Sequence, residues 1–171
     1  VLKALYVARL NRMDLLWSVN NLARNVTKWN VTCDKRLHRM IPYMSTSSGW
    51  VQASWVGDNF EDCKLVLFVD ASFAAEPEDS KSTTGCFLAI VGRNTFVPIT
   101  WFCKRQGAVS HSSSETEIIA FEAAARMEGI PCLLLWEEIL EVFSKFKRVA
   151  KQSSPVNAGG NSMQRIIQLV S

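Results

Sequence analysis

Apolar positions change rhythm along this chain. Up to about residue 45 they recur at helical spacing, between 64 and 103 they form short blocks, and from 112 the helical spacing returns. Residues 1–10 read as a short helix through Leu2, Leu5, Tyr6, Ala8 and Leu10. Residues 13–25 read as a second, with Leu15, Leu16, Val19, Leu22 and Ala23 on one face. A third starts near Thr32, a suitable N-cap with Asp34 in the first turn, and Pro42 is expected to end or kink it. The Ser/Thr-rich stretch 45–49 is a loop, 50–56 a strand and 57–59 a turn.

The block 64–71 is continuously apolar up to Val69-Asp70, as in a strand buried on both faces. Polar residues 72–83 form a loop. Segments 86–91 and 96–103 are strands joined by a turn at 92–95, and Pro98 marks the latter as bulged or near an edge. A helix follows over 112–127, capped by Ser113 or Ser114, and Ser114 with Glu117 fits a capping box. Residues 131–143 form another helix. Residues 144–160 are basic, then rich in Ser, Gly and Asn, and 163–170 suit a last helix. There is no internal repeat.

This pattern predicts an α/β fold in two parts: a helical segment with a terminal strand over 1–57, and a compact domain over 64–171. The 171 residues, 48% hydrophobic and 20% charged, suit a globular domain with a real core. A net charge of +3 permits a nucleic-acid partner without demanding one. The five cysteines (33, 63, 86, 103 and 132) are odd in number and lack C-x-x-C spacing. They fit buried thiols in a reducing, intracellular compartment better than a disulfide frame. Two histidines make a zinc finger a poor fit. No apolar run is long enough to span a membrane, and none reads as a secretory signal. The chain opens at Val1 rather than Met, as a fragment or a processed product would.

Two acids stand out. Asp70 ends the buried strand, and Glu117 lies in the first turns of the following helix. A carboxylate on a first strand and another on a first helix is how a two-metal nuclease starts its site. Each also has an ordinary reading: a strand-end Asp bonding a loop, and a capping-box Glu. Arg93, Lys104 and Arg105 suit phosphate contact, although hairpin ends are often basic because they are solvated. Lys145, Lys147, Arg148 and Lys151 are either a backbone-binding cluster or a solubilising tail. Ser110-His111-Ser112 is not read as a nucleophile and base, since adjacent residues cannot form the required hydrogen-bonded dyad. The tryptophans, Trp101 and Trp136 among them, read as core.

The order of motifs is more specific than any one of them. Strand-borne Asp70, Lys81-Ser82-Thr83-Thr84-Gly85, Ile99-Thr100-Trp101 with Lys104-Arg105-Gln106, and Ser113-Ser114-Glu115-Thr116-Glu117 follow in turn. That series resembles the ribonuclease H domain of copia-type retrotransposon polyproteins. Leu5-Tyr6-Val7-Ala8 with Asn11-Arg12-Met13-Asp14-Leu15 resembles the family's segment joining reverse transcriptase to ribonuclease H. The likeness covers roughly residues 2–141. It implies a ribonuclease H-like mixed sheet flanked by helices, an RNA–DNA hybrid as partner, and Mg²⁺ ions held by four acids. Carried over, the first acid is Asp70 and the second Glu117, both then metal ligands and catalytic residues. Glu115 falls on another part of the helix and suits its first turn.

The chain also departs from the family. The third acid aligns with Asn161 or Gly160, neither a carboxylate, and the fourth lies further on than Ser171. Two metal ions carry four positive charges, and two carboxylates offset only half. Ser72 stands where the family has a second Asp, Phe73 where it has Trp, and Cys33 where it has His. Asn161 is also an ordinary helix N-cap. Three readings follow: a catalytically impaired ribonuclease H-like domain, a co-opted structural subunit binding other proteins, or a hybrid-binding module without cleavage.

Overall fold

The computed structural model describes residues 1–74, 80–152 and 168–170. In chain order these hold helices α1 (Leu2–Leu10), α2 (Leu16–Arg24) and α3 (Val31–Thr46). Strands β1 (Lys64–Ser72), β2 (Thr83–Val91) and β3 (Phe96–Arg105) follow, then α4 (Ser113–Ala124), α5 (Ile130–Gln152) and β4 (Gln168–Val170). The fold is mixed α/β. The strands lie in the order β3-β2-β1-β4. β1, β2 and β3 form an antiparallel meander, and β4 pairs parallel to β1.

Helices cover both faces of the sheet. Alternation along β1 turns Leu67, Val69 and Ala71 toward Ala120 and Ala124 of α4. Trp136 and Leu140 of α5 extend this layer over Leu65. On the other face Leu15, Leu16, Val19 and Leu22 pack with Cys33, Met40 and Trp101. Two hydrogen bonds fasten that layer. Trp101 Nε1 donates to the Ala8 carbonyl at 3.0 Å, and Asn20 Nδ2 donates to the Cys103 carbonyl at 2.7 Å. The apolar stripe of the leading helices is therefore buried against the sheet.

Five expectations need correction. Residues 50–56 do not form a strand; Trp55 alone pairs with Phe96, through bonds of 3.1 and 2.9 Å. The next position of β3 pointing to that edge is Pro98, which has no N–H to continue a ladder. Pro98 also sits beside the irregularity where Leu88 pairs with Thr100 and Ala89 with Pro98, so the bulged edge strand is as expected. Helix α3 runs through Pro42 instead of ending there. Pro42 and His38, whose carbonyl loses its donor, are both exposed, while Leu37, Met40 and Met44 hold the helix to the core. The cap of α3 is Asn30, whose side chain accepts from Cys33 N at 3.0 Å, and not Thr32.

Helices α4 and α5 are not separated. A π-helical turn over Ala125–Gly129 links them, and Pro131 falls in the first turn of α5. Finally, residues 168–170 are strand and not helix. Gln-Leu-Val suits a strand beside β1 as well as a short helix, and periodicity cannot separate the two over so few residues.

Candidate functional site

The sequence motifs converge at one end of the sheet, in a buried polar network. Gln106, just past β3, donates through Nε2 to Thr84 Oγ1 at 3.1 Å and to the Thr116 carbonyl at 3.0 Å. Its Oε1 accepts from Ser110 Oγ at 3.2 Å, and its backbone N–H donates to the Ser82 carbonyl at 2.8 Å. Ser82 Oγ lies 3.4 Å from Thr116 Oγ1 and accepts from Ala74 N at 3.1 Å. Ser82, Thr84, Gln106, Ser110 and Thr116 are all buried. A buried polar group left unpaired is costly, so these side chains fix one another's positions. The network clamps the first turn of α4 to the start of β2 and the end of β3.

That clamp sets the helix register. Thr116, Ala120 and Ala124 form the stripe that meets the sheet, and each is 0% exposed. Glu117, the next residue after Thr116, is exposed at the margin of this contact. The helix cap lies elsewhere than expected. Ser112, not Ser113 or Ser114, is the N-cap and accepts from Glu115 N at 3.1 Å. Glu115 answers by accepting from His111 N at 2.7 Å. Glu115 thus serves the first turn as expected, and Glu117 is released from capping.

Asp70 lies near the end of β1, opposite Gly85 of β2, and is exposed. A Cβ at Gly85 would meet only the Asp70 carbonyl, at 3.8 Å. The Asp70 side chain lies on the face of Phe68, away from α4, and helps to line a groove of about 480 Å³. Trp17, Phe68, Phe87 and Trp101 line the same groove. Phe68 and Phe87 have ring centroids 5.9 Å apart. β1 and α4 pack directly on each other, with Asp70 on the face of β1 away from α4 and Glu117 exposed on α4.

Among the described residues no group of three or more His, Cys, Asp or Glu side chains could hold a metal. Two carboxylates offset only half the charge of a pair of Mg²⁺ ions, so Asp70 and Glu117 alone fit such a pair poorly. Asn161 lies outside the described residues, as do the side chains of Lys147, Arg148 and Lys151.

The three basic candidates separate. Arg93 is in the β2–β3 turn, while Lys104 and Arg105 end β3, roughly 30 Å away at ~3.3 Å per residue. Lys104 is exposed. Arg105 is half-buried and lines a second cavity against α2 and α3. Sequence reading missed Arg24 and Arg36 there, because the two lie on different helices and are joined only by the fold.

Thiol chemistry plays no evident part at this end of the sheet. All five cysteines are free. Burial pushes the Cys86 thiol up to about 12, with Glu128 and Cys132 adding to the shift, so it remains protonated. Cys103 and Cys132 are raised as well, chiefly by burial. No protein-family model matches the chain, and no solved structure matches it significantly. Among the described residues no helix is long and apolar enough to cross a membrane.

Proposed function

We propose that the chain is a ribonuclease H-like domain of the copia-type retrotransposon class, carried with its helical connection segment and impaired in hydrolysis. The observation that carries this reading is the position of Asp70. It stands near the end of β1, which is flanked by antiparallel β2 and parallel β4, and it opens onto a groove. Glu117 supports it by lying exposed, outside the cap, on the first helix after the meander. The motif residues Ser82, Thr84 and Gln106 support it by holding that helix to the sheet.

The strand register points to where a further carboxylate would join Asp70. Val66, Leu67 and Phe68 pair with Gln168, Leu169 and Val170, so β4 runs parallel to β1 toward the Asp70 end. Asp70 and Glu117 alone offset only half the charge of two Mg²⁺ ions, which is the reason for the proposed impairment.

A labelled RNA–DNA hybrid incubated with residues 1–171 in Mg²⁺ or Mn²⁺ tests the reading, with Asp70→Asn alongside. The expected result is salt-sensitive hybrid binding with no Asp70-dependent cleavage. Cleavage that disappears in Asp70→Asn would overturn the claim of impairment. Absence of any nucleic-acid binding would overturn the wider reading.

A structural role in a protein assembly is favoured by one specific feature. Leu2, Tyr6 and Leu10 of α1 and Leu134 and Leu135 of α5 are more than half exposed. That reading expects Leu134→Glu to abolish partner capture and leave hybrid binding unchanged.

A further inference from the structure

We infer that the groove between α2 and α3 seats an unpaired base of a nucleic-acid strand on Trp17, with Arg36 and Arg39 on the strand's phosphates. The groove has a volume of about 480 Å³. Leu15, Leu22 and Met40 form its buried floor, and Trp17 and Tyr43 form its walls. The sequence reads its tryptophans as core, and Trp101 and Trp136 are each 7% exposed, but Trp17 is 56% exposed. An indole left open to water gains from being covered by another flat ring.

Arg36 and Arg39 lie three residues apart on α3, so they are neighbours on one face of that helix. Both line the groove. Arg36 donates through Nη1 to Asn21 Oδ1, a neutral and buried amide. Ion pairs among the described residues involve neither arginine. Asp14 also lines the groove, but its charge is offset by Arg12, whose Nη2 lies 2.9 Å away. The groove therefore keeps a positive potential beside its aromatic walls. Tyr43 is held by donating from Oη to Asp14 at 2.8 Å, and the exposed Trp50 lies edge-on to it with ring centroids 5.9 Å apart. Side chains held in this way lose little entropy when a ligand arrives.

This combination selects the ligand. An aliphatic side chain would fill the floor but leave both guanidinium groups without an anion. A free phosphate would pair with the arginines but leave the indole uncovered. A nucleotide supplies the flat ring and the anion together. Bases inside a duplex are already stacked, so the site suits an unpaired one. Trp17 also lines the groove that Asp70 borders. The strand at Trp17 is thus the single-stranded continuation of a hybrid seated at Asp70. That choice of ligand rests on the nucleic-acid reading above, while the site itself contains neither Asp70 nor Glu117.

Fluorescence anisotropy compares a blunt RNA–DNA hybrid with the same hybrid carrying an unpaired adenine extension at each strand end in turn. Wild-type residues 1–171 are expected to bind one extended hybrid ~10-fold tighter than the blunt one, or better. Trp17→Ala should lose that gain and keep blunt affinity within ~3-fold, whereas Trp17→Phe should keep most of the gain. Arg36→Gln with Arg39→Gln should cut the gain ~5-fold or more and reduce the salt slope by about 1.4. Because Arg36 is bonded to a buried amide, the exposed Arg39→Gln alone is a second variant, expected to cut the gain ~2-fold or more. Lys3→Gln removes the same charge from α1 and should leave the gain unchanged. Circular dichroism and urea midpoints establish that each variant is folded. Blunt binding with no gain from any extension would overturn this site alone, as would a gain that survives Trp17→Ala. Displacement of the extended hybrid by polyglutamate as readily as by unlabelled oligo-dA would overturn it in favour of an acidic protein partner. Failure of blunt and extended hybrids alike to bind would overturn the nucleic-acid reading and this site with it. Asp70→Asn should leave the gain unchanged, which keeps this outcome separate from the cleavage assay.

Discussion

Gln106 does more for this fold than its position after a strand suggests. Its side-chain amide joins β2, α4 and the intervening loop through three hydrogen bonds. Gln106→Ala leaves Thr84 and Ser110 without that partner in a buried setting, and should cost about 2–4 kcal/mol. Urea unfolding measures it; a loss below ~0.5 kcal/mol would mean the network is solvated. Asp14 plays a comparable part in the helical layer. It accepts from Arg12 Nε at 3.0 Å, Arg12 Nη2 at 2.9 Å and Tyr43 Oη at 2.8 Å. Arg12 also donates to Ser47 Oγ at 2.7 Å, tying the start of the layer to the end of α3. These bonds, those from Arg12 first, hold the Asp14 carboxyl below its ordinary range. A carboxyl depressed on folding stabilises the native state above its unfolded pKa, and that stability is lost as pH falls through the lowered folded value. Asp14→Asn should therefore be less stable than wild type near neutrality, with the difference closing below about pH 4. A pH series of urea midpoints that stays parallel for the two proteins would contradict this. Both residues stand inside motifs visible in the sequence. What the sequence withheld was their role, because their partners lie on other elements.

Elements were legible where burial follows period. The run 64–71 and the stripe Thr116, Ala120, Ala124 carry their contacts in their spacing. Boundaries set by single hydrogen bonds were not. Ser112, Ser113 and Ser114 are identical as cap candidates in sequence, and the choice depends on Glu115 reaching back to His111 N. Ser112→Ala should cost ~1 kcal/mol and Ser114→Ala no more than a few tenths. Equal losses on thermal unfolding would return the capping box to Ser114 and Glu117, and would count against Glu117 as a ligand. Pro42 misled for a related reason. A missing N–H ends a helix only where packing does not hold both sides, and α3 is held by Met40. The third basic candidate, Arg105, turned inward because β3 ends against α2 and α3, a neighbour no local pattern announces.

At the scale of the whole molecule, a helical layer is fastened to one sheet face and a second to the other, with β1 at the centre. Among the openings on the side of the leading helices, one is the aromatic groove bordered by Asp70 and another is the basic cavity bordered by Arg105. The resemblance in sequence supplied Asp70 and Glu117 as a pair. The structure sets Asp70 on the face of β1 away from α4 and turns attention to the strand beside it. The register of β4 makes that claim testable without any assumption about substrate. An aspartate appended directly after Ser171 would stand level with Asp70 and on the same face of the sheet. Calorimetric titration with Mn²⁺ compares this extended chain with residues 1–171, each with and without Asp70→Asn. The account predicts at least ~10-fold tighter binding on extension, with the gain lost in Asp70→Asn. Unchanged affinity on extension, or a gain that survives Asp70→Asn, would contradict a metal site centred on β1.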